Sequence, residues 1–154
     1  MSLIGELKRA STLEAVAKRL EVYEILIEAS KPIFELRNKK LEEMIKEQAL
    51  NLVSYDQCLQ ECKTIESFMT NKLETTEATL HKHYLENSQR ALGARDLTMY
   101  IKGDPQFSDV NQIVMEVAHI RRQLEAIVEA IKSLGWSLSH IVKLRIEQMD
   151  HTVL

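Results

Sequence analysis

Ser108 to Met149 reads SDVNQIVMEVAHIRRQLEAIVEAIKSLGWSLSHIVKLRIEQM, and this stretch decides the fold class. Ile113, Val117, Ile120, Leu124, Ile127, Ile131 and Leu134 follow one another at alternating steps of four and three. That spacing is a heptad seam, and it places all of them on one stripe of a helix. Val114 and Val128 widen the stripe, while Glu116, Arg121, Arg122, Gln123, Glu125 and Lys132 fall off it. A second apolar set, Leu138, Ile141, Val142, Leu144 and Met149, follows Gly135-Trp136 at once. The reading is a long seam helix over 109–134, a glycine joint, and a short amphipathic helix over 137–149. Trp136, beside the joint, is expected to wedge between packed helices.

Upstream the same period recurs. Ser11-Thr12-Leu13-Glu14 has the form of a capping box. It opens a helix over 12–29 whose stripe is Leu13, Val16, Leu20, Tyr23 and Ile27. Pro32 lacks an N–H and suits the first turn of a new helix better than the interior of the old one. A second helix is therefore expected over 32–53. A third, over 55–92, either restarts at a Ser54 cap or runs straight through from the second, and carries Tyr55, Cys58, Cys62, Ile65, Met69, Leu73, Thr76, Leu80 and Tyr84 on one face. At 1.5 Å per residue it would span roughly 57 Å, more than a compact domain covers, so it needs long partners. Residues 96–101 form a short element of unassigned type, and Lys102-Gly103-Asp104-Pro105-Gln106 is a turn. Ser108 or Asp109 is then expected to cap the seam helix.

Composition agrees. The chain has 154 residues, which suits a single domain, with 4 glycines and 2 prolines to interrupt helices. Charged residues make up 28% and aromatics only 5%, a mixture that favours helices over a sheet. The expected fold is all-α: an elongated helical bundle or coiled coil, with a short C-terminal helix after the glycine joint. The seam, lacking an obvious partner of matching length in the chain, points to a homo-oligomer. Its interface would comprise Ile113, Val117, Ile120, Leu124, Ile127, Ile131, Leu134, Trp136, Leu138 and Ile141.

The formal net charge of −3 gives no global field for nucleic acid or an anionic membrane. Any such surface has to be local. Lys82, Arg90, Arg95 and Lys102 form one positive edge; Arg121, Arg122, Lys132, Lys143 and Arg145 form another. No apolar run is long enough for a membrane span, and the N-terminus has no signal-peptide core. Two cysteines make no disulfide framework, so a reducing cytoplasm is the expected compartment, the host's if the protein is viral.

Catalytic patterns are missing from the sequence. The glycines are scattered and form no phosphate loop, and no nucleophile elbow occurs. Glu116-x-x-His119 has the spacing of half a di-iron carboxylate motif, without the second half. Cys58 and Cys62 lie in the apolar stripe and read as core thiols. The chain is expected to be a non-enzyme with neither metal nor cofactor.

The segment from Leu124 to Met149 resembles the end of the phage recombination mediator family (UvsY-like). The matching positions are Ala130, Ile131, Lys132, Ser133, Gly135, Trp136, His140, Ile141 and Arg145. The tract MYIKGDPQF at Met99 to Phe107 resembles a short acidic element ahead of that family's penultimate helix. The resemblance implies a small helical accessory protein that assembles into rings and binds single-stranded DNA. It also implies displacement of a single-strand-binding protein and loading of a RecA-like recombinase. Lys82, Arg90, Arg95 and Lys102 are the residues expected to meet DNA. The alternative is a coiled-coil scaffold or assembly protein with no nucleic-acid role.

Overall fold

Two prolines and one asparagine punctuate the helices. A computed structural model describes residues 12–150, within which there are four α-helices and no strand. Helix α1 spans Thr12–Glu28, α2 Leu41–Asn87, α3 Ala94–Gly103 and α4 Pro105–Asp150. A single 3-10 turn, Lys31–Phe34, follows α1. The all-α expectation holds. The capping box at Ser11 lies outside the described residues.

Several boundaries differ from the sequence reading, each for a physical reason. The helix expected from Pro32 is only the 3-10 turn, and α2 begins at Leu41. Between them Asn38 takes a left-handed φ of 62°, alone among the described non-glycine residues, which turns the chain out of a right-handed helix. No break occurs at Ser54. Buried Tyr55 and Leu59 carry the apolar period through it, and serine in a helix interior costs only about 0.5 kcal/mol. Gly135 is not a joint either: α4 runs through it without positive φ. A helical glycine costs about 1 kcal/mol relative to alanine, less than the roughly 1.5–3 kcal/mol of burying a side chain such as Leu138 one turn on. Residues 96–101, unassigned from sequence, belong to α3, which also takes in Lys102 and Gly103 from the expected turn.

The cap of α4 is Asp104, ahead of both expected positions, Ser108 and Asp109. The Ser108 N–H donates to its carbonyl at 3.0 Å, and the Gln106 N–H donates to its Oδ1 at 2.9 Å. Pro105 follows as the first helical residue, where its missing N–H costs nothing.

The chain divides into two packed units. The first combines Met1–Glu21 with Glu61–Arg121. Its core takes Val16 and Leu20 from α1, Cys62, Ile65, Met69 and Leu80 from α2, Leu97 and Ile101 from α3, and Val110, Val117 and Ile120 from α4. The Cys62 thiol reaches the Val117 carbonyl at 3.8 Å, and Tyr84 reaches Asp104, so α2 and α4 run antiparallel there. Half-buried ion pairs Arg19–Glu61 and Arg121–Glu66 tie α1 to α2 and α4 to α2.

The second unit combines Val22–Gln60 with Arg122–Leu154. Tyr23, Tyr55, Leu59, Leu124, Val128, Ile131 and Leu138 form its core. The Tyr55 hydroxyl donates to the Leu26 carbonyl at 2.7 Å, and burial, then the neighbouring Cys58 charge, raises its phenol above the ordinary range. Buried Ser30 satisfies its hydroxyl on the Ile27 carbonyl at 2.6 Å. In both units α2 covers the α4 seam.

Candidate nucleic-acid interface

The four basic residues expected to meet DNA all belong to the first unit, while Arg122, Lys132, Lys143 and Arg145 of the other positive edge belong to the second. Lys82 lies near the end of α2, Arg90 in the connection to α3, and Arg95 and Lys102 on α3 itself. Arg95 and Lys102 are seven residues apart, two helical turns, and so share one face. All four side chains are exposed. Lys82 stands 3.9 Å from the Glu86 carboxylate one turn on, a loose pairing open to solvent. The Arg90, Arg95 and Lys102 side chains take part in no hydrogen bond or ion pair among the described residues. Arg90 is held through its backbone instead: its N–H donates to Ser88 Oγ at 3.3 Å, while the Ser88 hydroxyl donates to the Arg90 carbonyl.

Beneath this surface is a small apolar seat. Leu80, Leu97 and Ile101 are buried together, with Tyr84, Leu92 and Phe107 packed against them. Tyr84 donates its hydroxyl to Asp104 Oδ2 at 2.8 Å. That bond, with desolvation and the carboxylate's charge adding to it, raises the Tyr84 phenol above its ordinary value of 10.0. The ring of Tyr100 stacks on Tyr84 with centroids 5.8 Å apart and planes 28° from parallel. His83 meets Tyr84 edge-on at 5.5 Å. Beside Tyr100 an open pocket of about 500 Å³ is lined by Arg90, Ala91, Leu92, Asp96, Met99 and Tyr100.

Sequence reasoning placed the four cations but missed Tyr100 and Asp104. Tyr100 falls in the segment whose type was unassigned. Asp104 reads from sequence as part of a turn. The Asp-Pro dipeptide was the available signal, since Asp at a cap followed by Pro is a favoured helix start.

The expected oligomer seam behaves differently. Val117, Ile120, Leu124, Ile131 and Leu138 are buried within the chain, and Ile113, Ile127 and Leu134 are half-buried. They are core residues, because α2 supplies the partner that the sequence reading sought in a second copy. Trp136 is not a wedge: it points off the seam and is 79% exposed. Ile141 is exposed as well. Most of the large hydrophobic side chains left exposed belong to the second unit, among them Ile25, Leu50, Val53, Trp136, Leu144 and Met149.

Glu116 and His119 are exposed on α4, and among the described residues no three His, Cys, Asp or Glu side chains gather to hold a metal ion. No helix among the described residues is long and apolar enough to cross a membrane. No protein-family model, no curated protein and no solved structure matches the chain.

Proposed function

We propose that this chain is a non-enzymatic binding protein that holds single-stranded DNA on the α2–α3 end of its first unit. On this reading it acts as a recombination mediator. The observation that carries the proposal is that the side chains of Arg90, Arg95 and Lys102 are each exposed and without intrachain partners among the described residues. Cations left uncompensated on a chain of net charge −3 are suited to phosphates, and phosphate contacts supply most non-specific affinity. The wider role, displacing a single-strand-binding protein and loading a RecA-like recombinase, comes from the resemblance at Leu124 to Met149. Assembly into a homo-oligomer would repeat the modest patch along one strand and add weak contacts through effective concentration.

The test is a salt titration of labelled-oligonucleotide binding by wild type and by a chain carrying Arg90→Ala, Arg95→Ala and Lys102→Ala. Binding that weakens with salt, and a shallower slope for the triple variant, is the expected result. Failure of the wild type to bind at low salt removes the DNA-binding role. Relief of a single-strand-binding protein's block on recombinase filament growth tests the mediator role separately.

A second reading, a scaffold without nucleic-acid partners, draws on the exposed apolar side chains of the second unit. Trp136 and its neighbours suit protein contact whether or not DNA is bound. Sedimentation of the wild type without DNA separates assembly from binding.

A further inference from the structure

Tyr100 is an aromatic ring fixed from behind and open in front. Its inner face rests on Tyr84. Tyr84 is in turn held by its hydrogen bond to Asp104, by His83 at its edge and by the Leu80–Leu97–Ile101 cluster. More than half of the Tyr100 surface remains accessible, at 54%. An exposed tyrosine on a helix normally spreads over several rotamers. This one is stacked, so the cost of ordering the ring is met inside the fold before any ligand arrives.

The pocket that Tyr100 borders has a mixed lining. Leu92 and Met99 supply apolar surface, Arg90 a cation and Asp96 a carboxylate. A phosphate would be attracted by Arg90 and repelled by Asp96. A flat heteroaromatic ring suits the same lining better: it stacks on Tyr100, packs against Met99, donates an N–H to Asp96 and accepts from Arg90. Outside the pocket, Arg95 and Lys102 share a face of α3 and carry no opposing carboxylate contact. At 100° per residue Arg95 and Lys102 lie roughly 140–160° around α3 from Tyr100, so they are placed for phosphates further along a strand than the one whose base stacks.

We infer that Tyr100, with Arg90, Asp96 and Met99, forms a stacking seat for one unpaired nucleobase. The inference rests on the single-strand-binding reading above and deepens it. It explains how the surface would distinguish single strands from duplex, because bases paired inside a duplex cannot offer a face to Tyr100. Stacking of this kind is tolerant of sequence, since every base has an aromatic face.

The experiment compares two oligonucleotides of equal length and charge, one of deoxycytidylate and one of abasic residues, binding to the full chain at fixed low salt. Wild type is expected to prefer the base-bearing strand by about tenfold, in line with base–aromatic stacking. Tyr100→Phe keeps that ratio, because the ring face remains. Tyr100→Leu brings the two affinities together and leaves the salt slope unchanged. Equal binding of both strands by wild type, or a ratio that survives Tyr100→Leu, overturns the seat and leaves the phosphate contacts standing. If the pocket takes an apolar side chain of a protein partner instead, the strands bind alike. Absence of binding to either strand overturns the seat together with the reading beneath it.

Discussion

The Gln48 carboxamide donates from Nε2 to the backbone carbonyl of Ile131 at 3.2 Å, in space that Gly135 leaves open. A Cβ at position 135 would stand 2.6 Å from that nitrogen. The glycine is therefore a gap filled by a glutamine from α2, and its φ is that of an ordinary helix. Because the obstructing atom is the end of a flexible side chain, Gly135→Ala should displace Gln48 rather than bend α4. Losing the hydrogen bond costs about 0.5–1.5 kcal/mol, and alanine returns about 1 kcal/mol of helix propensity. The net change is expected to be small. In a Gln48→Ala background that bond is already gone, and Gly135→Ala should stabilise by about 1 kcal/mol. A double-mutant cycle in urea reads this, and additive effects would refute the coupling.

Leu124 and Trp136 lie on the same helix and should respond in opposite ways. Leu124 is fully buried, so Leu124→Ala should lower stability by about 2–5 kcal/mol. Ile131→Asp should unfold the chain, because it places an unpaired charge in the core. Trp136→Ser, at an exposed position, should change stability by no more than about 0.5 kcal/mol. If the second unit mediates assembly, Trp136→Ser lowers the sedimenting mass without changing the far-ultraviolet spectrum. A decrease of helix in that variant would mean that Trp136 supports the fold.

Alkaline pH should report on Tyr84. Its hydrogen bond to Asp104, then desolvation and the carboxylate's charge, raise the folded phenol above 10.0. The folded chain thus holds that proton more tightly than the unfolded chain. The stabilisation is complete below pH 10.0 and fades as pH rises from there through the folded value. Tyr84→Phe lacks this contribution. The Tm gap between wild type and variant should be constant below that pH and narrow above it. Tyr55, raised chiefly by burial, leaves the variant a residual alkaline slope. A gap independent of pH would show that the Tyr84 proton is not linked to folding.

Removing Arg90, Arg95 or Lys102 singly should flatten the salt dependence of oligonucleotide binding by about 0.7 in the log–log slope for each phosphate no longer neutralised. The effect should not depend on base sequence, because cations on the phosphates read none. Lys82→Ala should flatten it less, since Glu86 already shares that charge. Equal effects at all four positions would mean that the Glu86 pairing does not persist in solution.

The sequence made the helices legible but not their ends. The stripe from Tyr55 to Tyr84 emerges as read, with Tyr55, Cys62, Ile65, Met69 and Leu80 buried and Cys58, Leu73, Thr76 and Tyr84 half-buried. Periodicity survives in the fold because burial follows from it directly. Local punctuation is weak at Ser54, where the straight-through alternative holds, and at Gly135, where the expected joint does not form: each costs about 1 kcal/mol or less, and the apolar residues on either side outweigh it. The seam misled for a different reason. A heptad pattern states that a partner exists, not which chain supplies it, and here α2 does. The four cations were legible as a charge pattern. The Tyr84–Tyr100 stack was not, because it joins α2 to α3 across the 88–93 connection, whose path no periodicity sets.

Asp104 uses one carboxylate oxygen to start α4 and the other to hold Tyr84. This sets how the hairpin tolerates changes in length. A residue inserted between Ser88 and Leu92 adds slack to a connection that has no helical register to keep. A residue inserted between Ala94 and Tyr100 rotates part of α3 by about 100° relative to the rest. Tyr100 then leaves Tyr84, or Leu97 and Ile101 leave the core. Insertions should therefore accumulate harmlessly on one side of Gly93 and be rejected on the other, which an insertion scan scored by thermal stability would reveal.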